Sequence, residues 1–309
     1  MSARHACSPL EALLVDSAFD ADVYPDEPMR RHTMYRIGGP ARFYVQVGSI
    51  GALKRLVAAC QECAIPWVAV GRGSNLLVSD EGFPGVVIAL GRDFRACRFD
   101  EETCSFIVGA GVPLSSVVQE AFRRSLSGLE FAVGTPGTVG GAVRMNAGTR
   151  EQGIADRVVS VTTLSPSSGL VRREAADIQW GYRSSSFAPD EVIVECELAV
   201  KPADPYLLRG KMEAAHARRK KTQPLTLPSC GSVFKNPEGS SAGQLIEQVG
   251  LKGERVGGAQ ISEVHANFIV NRDNATAQDV LELINMARSK VYEAYGIELQ
   301  PEVRFLGFA

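Results

Sequence analysis

Gly134-Thr-Pro-Gly-Thr-Val-Gly-Gly141, followed by Asn146-Ala-Gly148, is the stretch on which the fold turns. Glycines at 134, 137, 140 and 141 leave backbone N–H groups unshielded, so a flat or multiply charged ligand can approach the main chain. Thr135 and Thr138 add hydroxyl donors beside Pro136, and the Asn146 amide suits a heterocycle edge or a ribose. The plainer alternative is a loop that only reverses the chain. Four glycines in eight residues beside such donors favour a nucleotide cradle.

A second glycine turn, Gly71-Arg-Gly-Ser-Asn75, follows the apolar run Trp67–Val70. A Rossmann fingerprint needs G-x-G-x-x-G opening a helix. Here the sixth position is Leu76, and Leu76–Ser79 reads as a strand. No P-loop pattern occurs either. A strand–turn–strand can still hold an anion on successive N–H groups, although a tight turn reads equally well.

Outward from these turns, strands and helices alternate. Arg42–Val47 reads as a strand, Gly51–Ala64 as an amphipathic helix, and Val86–Leu90 as a further apolar strand. Ser105–Val108 is a strand, and a helix opens at Pro113 and closes before Gly128. Val158–Leu164 and Val192–Val200 read as strands, the second alternating as a two-faced sheet strand does. Helices follow from Pro205 to the basic run Arg218–Lys221, from Ser241 to Gly250, and from Thr276 to Gly296, the last with Thr276 and Asp279 spaced for a cap. The fold class is α+β. Residues 1–30 read as an arm or a loose first helix, and the rest as three units, 31–90, 91–203 and 204–309.

The chain of 309 residues has a net charge of -2, which offers nothing to nucleic acid. No apolar run has the length of a membrane span, and acidic residues interrupt the N-terminus, so a cytoplasmic protein is expected. Cys60 and Cys63 form a C-x-x-C pair that closes a helix rather than opening one, which favours structural thiols over a redox site. The four histidines are dispersed and no second Cys or His pair exists, so no metal is expected.

The two glycine turns in this order resemble the FAD-binding domain of the vanillyl-alcohol-oxidase (PCMH) type, with a smaller α/β domain following. Tyr35-Arg-Ile-Gly-Gly-Pro-Ala41, Tyr182-Arg-Ser-Ser185, Pro228-Ser-Cys-Gly-Ser-Val-Phe-Lys-Asn-Pro237 and Pro301-Glu-Val-Arg304 narrow this to a resemblance to the UDP-N-acetylenolpyruvoylglucosamine reductase (MurB) family. It spans roughly residue 31 to the C-terminus, and the joint order and spacing are specific where no single motif is.

The resemblance implies a monomeric enzyme in which NADPH reduces a non-covalently held FAD, which then reduces UDP-N-acetylglucosamine enolpyruvate to UDP-N-acetylmuramate. It implies FAD contacts from Gly71, Arg72, Gly73, Ser74, Asn75 and Leu76, and from Gly134, Thr135, Pro136, Gly140, Gly141, Asn146 and Gly148. Arg183 would clamp the substrate carboxylate, since a planar guanidinium binds it bidentately. Ser232 would deliver a proton to C2 of the enolpyruvyl group. Glu302, protonated or sharing a proton, would polarise the carboxylate or enol, on a C-terminal segment, 300–309, that returns to the site. Tyr182, Lys220, Lys235, Asn236 and Gln260 would contact substrate, with Asn267 lining the cleft and His265 structural.

Two departures matter. After Gly148 the family runs Ala-Tyr-Gly-Gly-Glu, whereas this chain has Thr-Arg-Glu-Gln-Gly, so contacts of residues 149–153 are not carried over. The Tyr-bearing insertion of one branch is absent, as in the shorter branch. The rivals are an alcohol or sugar oxidase of the same fold and a non-catalytic flavin or nucleotide-sugar binder. An oxidase has no use for the Ser232 motif, and a binder has no use for Arg183, Ser232 and Glu302 together.

Overall fold

The computed structural model of the protein describes residues 8–149 and 152–308. In chain order its helices are α1 (Pro9–Leu14), α2 (Ile50–Glu62), α3 (Leu114–Arg123), α4 (Val139–Arg144), α5 (Pro205–Thr222), α6 (Ala242–Gln248) and α7 (Ala277–Tyr295). The strands are β1 (Ala21–Pro28), β2 (Pro40–Val47), β3 (Trp67–Val70), β4 (Leu76–Val78), β5 (Phe83–Leu90), β6 (Cys97–Asp100), β7 (Ser105–Gly109), β8 (Leu126–Ser127) and β9 (Val158–Ser165). They continue as β10 (Gly169–Glu174), β11 (Trp180–Gly181), β12 (Ser184–Ser185), β13 (Val192–Ala199), β14 (Lys201–Pro202), β15 (Arg255–Val256), β16 (Ala259–Ile261), β17 (Ile269–Asn271) and β18 (Arg304–Leu306). Among the described residues no helix is long and apolar enough to cross a membrane.

The chain divides into two compact units. The first holds the described residues of Met1–Asp26, Arg42–Gly71 and Gly85–Met212; the second is Glu27–Ala41, Arg72–Pro84 and Glu213–Ala309 as described.

In the first unit, sheets of order β1-β2-β5-β3 and β10-β9-β13-β7-β6 carry the core. Ser49 caps α2 by accepting the Ala52 N–H, and Leu53, Leu56, Val57 and Cys60 form its buried stripe. Of the stretch expected as an arm or loose helix, residues 1–7 lie outside the described residues, and α1 opens on a Ser8–Glu11 capping box with Pro9 in the first turn. It buries Leu10 and Leu13, with Phe19, in the core that also takes Leu53 and Leu56. Prolines at 25 and 28 concealed β1 from a reading by pattern. In β13 the expected alternation gives way to burial of nearly every side chain, because β13 lies between β9 and β7.

In the second unit, β15-β16-β17 and the helices α6 and α7 enclose a core of Leu245, Ile246, Ile261, Ile269, Val280, Leu283 and Ile284. The expected cap of α7 is present. Thr276 accepts the Asp279 N–H at 3.0 Å, Asp279 accepts the Thr276 N–H at 2.9 Å, and left-handed Gly296 (φ +67°) ends the helix. Asp80 accepts the Ala277 and Gln278 N–H groups at 2.8 and 3.0 Å, placing an anion on the positive end of α7. β18 pairs in parallel with β4, Arg304 opposite Leu76.

Candidate active site

The first unit holds the cradle segment and the Tyr182-Arg183 turn. Within 134–148, where glycine turns were expected, residues 139–144 form α4. Val139, Ala142 and Val143 are buried on one side of it, and Thr138 caps it by accepting the Gly141 N–H at 3.4 Å. Two of its six residues are glycine, which is why composition hid it.

The glycines divide by role. Gly140 is buried, donates its N–H to the Ala110 carbonyl at 2.9 Å, and would bring a Cβ to 2.7 Å from Ala110 Cβ. It is therefore glycine for packing, where an exposed N–H was expected. A Cβ on Gly71 would stand 2.5 Å from Thr138 Oγ1, so this glycine lets one turn approach the other. Gly134, Pro136 and Gly141 are exposed, and a Cβ on Gly141 would meet only Thr138 Oγ1, at 3.6 Å. That exposed rim fits a flat ligand laid against main chain. Thr135 donates its backbone N–H to the Ala132 carbonyl, and Gly148 bridges Gly153.

Asn146 terminates α4. Its N–H donates to the Val143 carbonyl at 3.1 Å and the Ala147 N–H to the Ala142 carbonyl at 2.8 Å, a Schellman arrangement with Asn146 left-handed at φ +41°. The side chain works too. Nδ2 donates to the Gly181 carbonyl at 3.0 Å and Oδ1 accepts the Ala155 N–H at 3.1 Å. The amide expected to face a ligand thus has protein partners at both ends.

Gly181 leads into the hairpin of β11 and β12, with Gly181 opposite Ser184 and Tyr182-Arg183 as the two-residue loop. Arg183 has φ +54°, the second-position geometry of a type II turn that ordinarily takes glycine or asparagine. An L-residue pays on the order of 1 kcal/mol there. Its guanidinium stacks over the Tyr182 ring, 5.5 Å from the centroid, and Tyr182 is exposed. Ser185 Oγ donates to the Arg144 carbonyl at 2.6 Å, and the Arg144 guanidinium donates to the carbonyls of Phe187, Ala188 and Glu191.

The second unit holds Ser232 and Glu302. Gly231 (φ +83°) turns the chain into the Ser232 segment, and Ser232 bridges Phe268. The Val233 N–H donates to the Asn267 carbonyl at 2.8 Å. The Asn267 side chain, 3% exposed, accepts the Phe234 N–H at 2.9 Å and donates to the Phe234 carbonyl at 2.8 Å. On the other side the Glu302 N–H donates to the Val233 carbonyl at 2.7 Å, and Phe234 bridges Pro301. Ser232 and Glu302 therefore sit on neighbouring extended segments joined by isolated bridges, with Glu302 opposite Val233, the residue after Ser232. Asn267, expected to line a cleft, instead clamps the segment that carries Ser232.

Asn75 ties the glycine turn to the same place. Its Nδ2 donates to the Glu302 carbonyl at 3.0 Å, and its own carbonyl accepts the Arg304 N–H at 3.0 Å. Gly73 (φ +59°) lies against the His32 carbonyl, Arg72 is exposed, and Ser74 and Leu76 are half-buried. Beneath Ser232, Cys230 is fully enclosed. Burial pushes its thiol up to about 12, the neighbouring Tyr35 phenol opposes that, and Glu302 adds to it.

The remaining expected ligands are dispersed. Lys220 is exposed on α5, and Lys235 is half-buried with its N–H on the Gln300 carbonyl. Asn236 Oδ1 accepts the Ala242 N–H at 3.0 Å and so caps α6. Gln260 is buried, its Nε2 donating to the Gly253 carbonyl and its Oε1 accepting from Arg272, both at 3.0 Å. That is an internal brace, where a substrate contact was expected. His265 accepts the Asn267 N–H at Nδ1, and burial, with Lys252 nearby, lowers its pKa. Cys60 is buried at the end of α2, its thiol pushed up to about 12 by burial and Cys63.

Comparison with known proteins covers both units. A model described as an FAD binding domain matches residues 41–173, and one described as the UDP-N-acetylenolpyruvoylglucosamine reductase C-terminal domain matches residues 223–306. The UDP-N-acetylenolpyruvoylglucosamine reductase of Heliobacterium modesticaldum is 46% identical over 284 residues, covering 91% of this chain and 90% of that protein. The enzyme of the same name from Geobacter sulfurreducens is 40% identical over 296 residues, 96% of this chain and 98% of its own. The crystal structure of UDP-N-acetylenolpyruvylglucosamine reductase (MurB) from Thermus caldophilus superposes with a TM-score of 0.80 at 38% identity, over 93% of this chain and 98% of that one. Exposed glycine rim, tethered arginine turn and paired Ser232 and Glu302 segments thus occur in a chain matched nearly end to end, and the protein belongs to the UDP-N-acetylenolpyruvoylglucosamine reductase family.

Proposed function

We propose that the protein reduces UDP-N-acetylglucosamine enolpyruvate to UDP-N-acetylmuramate with NADPH, as a cytoplasmic monomer in peptidoglycan precursor synthesis. The observation that supports this reading is the backbone pairing in the second unit between the segments of Ser232 and Glu302, through the Glu302 N–H on the Val233 carbonyl at 2.7 Å. FAD, when bound, supplies hydride transfer from NADPH to the enolpyruvyl group.

The chain's own residues supply binding and proton chemistry. Hydride addition to an enol ether conjugated with a carboxylate drives negative charge toward that carboxylate. A preorganised cation there stabilises the transition state more than the ground state. Arg183 is the residue we assign to it, held at the tip of a tight hairpin with its fork presented beside Tyr182. Ser232 is assigned to protonate C2, and Glu302 to polarise the carboxylate or enol from the neighbouring segment. Gly134, Pro136 and Gly141 supply the exposed main-chain rim for the flavin. Lys220 and Lys235 are assigned to the phosphates of the substrates, which need cations without strict geometry.

The test is anaerobic. The purified protein is reduced with NADPH, UDP-N-acetylglucosamine enolpyruvate is added, and the flavin absorbance is followed. Reoxidation driven by that ether is expected. A flavin that stays reduced until oxygen is admitted points to an oxidase or a mere binder and overturns the assignment.

A further inference from the structure

The left-handed arginine raises a question of mechanics. A non-glycine residue keeps a sparsely populated backbone geometry only where its surroundings over-determine it. Two side chains do so here. Asn146 Nδ2 holds the Gly181 carbonyl at 3.0 Å, on the entry strand of the hairpin. Ser185 Oγ holds the Arg144 carbonyl at 2.6 Å, on the exit strand. Both tethers end on one short piece of chain, α4 and its terminating residue, and the Arg183 loop lies between them. Within the hairpin Gly181 packs closely on Ser184, since a Cβ there would lie 2.5 Å from Ser184 Oγ.

We infer that Asn146 and Ser185 are positioning residues for Arg183: they lock the hairpin onto the end of α4, so that the segment carrying the cofactor rim also aims the guanidinium. The inference rests on the role proposed for Arg183. Asn146 contributes twice, since its backbone ends the helix while its amide reaches the hairpin. Asn146→Gly separates these functions, because glycine keeps the left-handed stop and deletes the tether.

The experiment measures reoxidation of NADPH-reduced enzyme by the enolpyruvyl ether in Asn146→Gly, Ser185→Ala and Arg183→Ala, and in each tether variant combined with Arg183→Ala. Losing one net hydrogen bond corresponds to roughly a three- to tenfold loss. Each tether variant is therefore expected to slow reoxidation by about that factor in the wild-type background. Neither should slow it further once Arg183 is gone, since coupled residues are non-additive. A tether that acted only on the general fold or the flavin would slow Arg183→Ala by the same factor again, and that result overturns the inference. Unchanged rates in both tether variants, with Arg183→Ala crippled, overturn it while leaving the role of Arg183 intact. An Arg183→Ala enzyme with wild-type reoxidation removes the role of Arg183 and the inference with it. Where Asn146→Gly fails to retain flavin, Asn146→Asp, which deletes the amide donor without changing shape, takes its place.

Discussion

Ser232 and Arg183 are held by different means. Ser232 lies in an extended segment bridged to Phe268 on one side, while its neighbour Val233 accepts from Glu302 on the other, so the main chain fixes it. Arg183 sits at the tip of a two-residue loop in a strained geometry, and its hairpin is fastened by an asparagine amide and a serine hydroxyl. A site held by main-chain pairing tolerates change in the surrounding side chains as long as the strands pair. A site held by tethers is only as well aimed as the residues that tie it. The proton delivery proposed for Ser232 needs one hydroxyl in one place, which backbone pairing suits. The carboxylate grip proposed for Arg183 needs a long side chain to be aimed, which is where individual tethers matter.

The sharpest way to probe this difference is Ser232→Ala. It leaves the backbone pairing in place, so substrate-driven reoxidation is expected to fall by about 10²–10⁴-fold, the usual worth of a general acid. Flavin reduction by NADPH should stay close to wild type, and stopped-flow absorbance separates the two halves. Equal losses in both halves would assign Ser232 a structural part.

Asn267→Ala attacks the ladder itself. It leaves the buried Phe234 N–H and carbonyl without their side-chain partners, at a cost of about 2–4 kcal/mol in urea unfolding. A loss below 1 kcal/mol would show that the main chain holds the segment unaided. On the other unit, Gly140→Ala forces a Cβ to 2.7 Å from that of Ala110, and about 1–3 kcal/mol of overpacking is expected in the same measurement.

The smallest effect concerns one thiol in each unit. Cys60 and Cys230 both have thiols raised to about 12 by burial, against an ordinary value of 9.0. In the unfolded chain they ionise near 9.0 while the folded protein keeps them neutral. Stability is therefore complete below pH 9 and lost as pH climbs toward 12, by about 1 kcal/mol per thiol near pH 10. Urea midpoints at pH 8 and 10, with Cys60→Ala and Cys230→Ala as controls, check the sign and the share of each unit.

Elements that announce themselves locally were legible in the sequence. Thr276 and Asp279 at capping spacing and Gly296 define α7 without reference to anything else, and the helical spacing of Leu53, Leu56, Val57 and Cys60 does the same for α2. What was not legible depends on distant partners. β18 has three residues, two of them exposed, and exists because β4 offers it an edge. Glycine content concealed α4, whose Gly140 answers to Ala110 thirty residues earlier. The motif residues Arg183, Ser232 and Glu302 could be picked out because their neighbours form patterns. The inward duties of Asn146, Asn267 and Gln260 could not, since an amide reads the same in sequence whether it meets a ligand or a backbone carbonyl.

The makeup of the second unit bears on how the protein is made. Its parts are residues 27–41, 72–84 and 213–309, and the stretch 85–212 belongs to the other unit. During synthesis the Asp80 carboxylate leaves the ribosome long before the α7 N–H groups that it will cap. At about 5–20 residues per second the intervening chain takes on the order of ten seconds to translate. Through that interval Tyr35, Ile37 and Leu77 have no core to enter, because the rest of their cluster begins at Cys230. β18 pairs with β4 only after residues 304–306 have been made. A product stopped before Cys230 therefore carries these apolar side chains uncovered, open to chaperones and proteases, until the rest of their cluster is made.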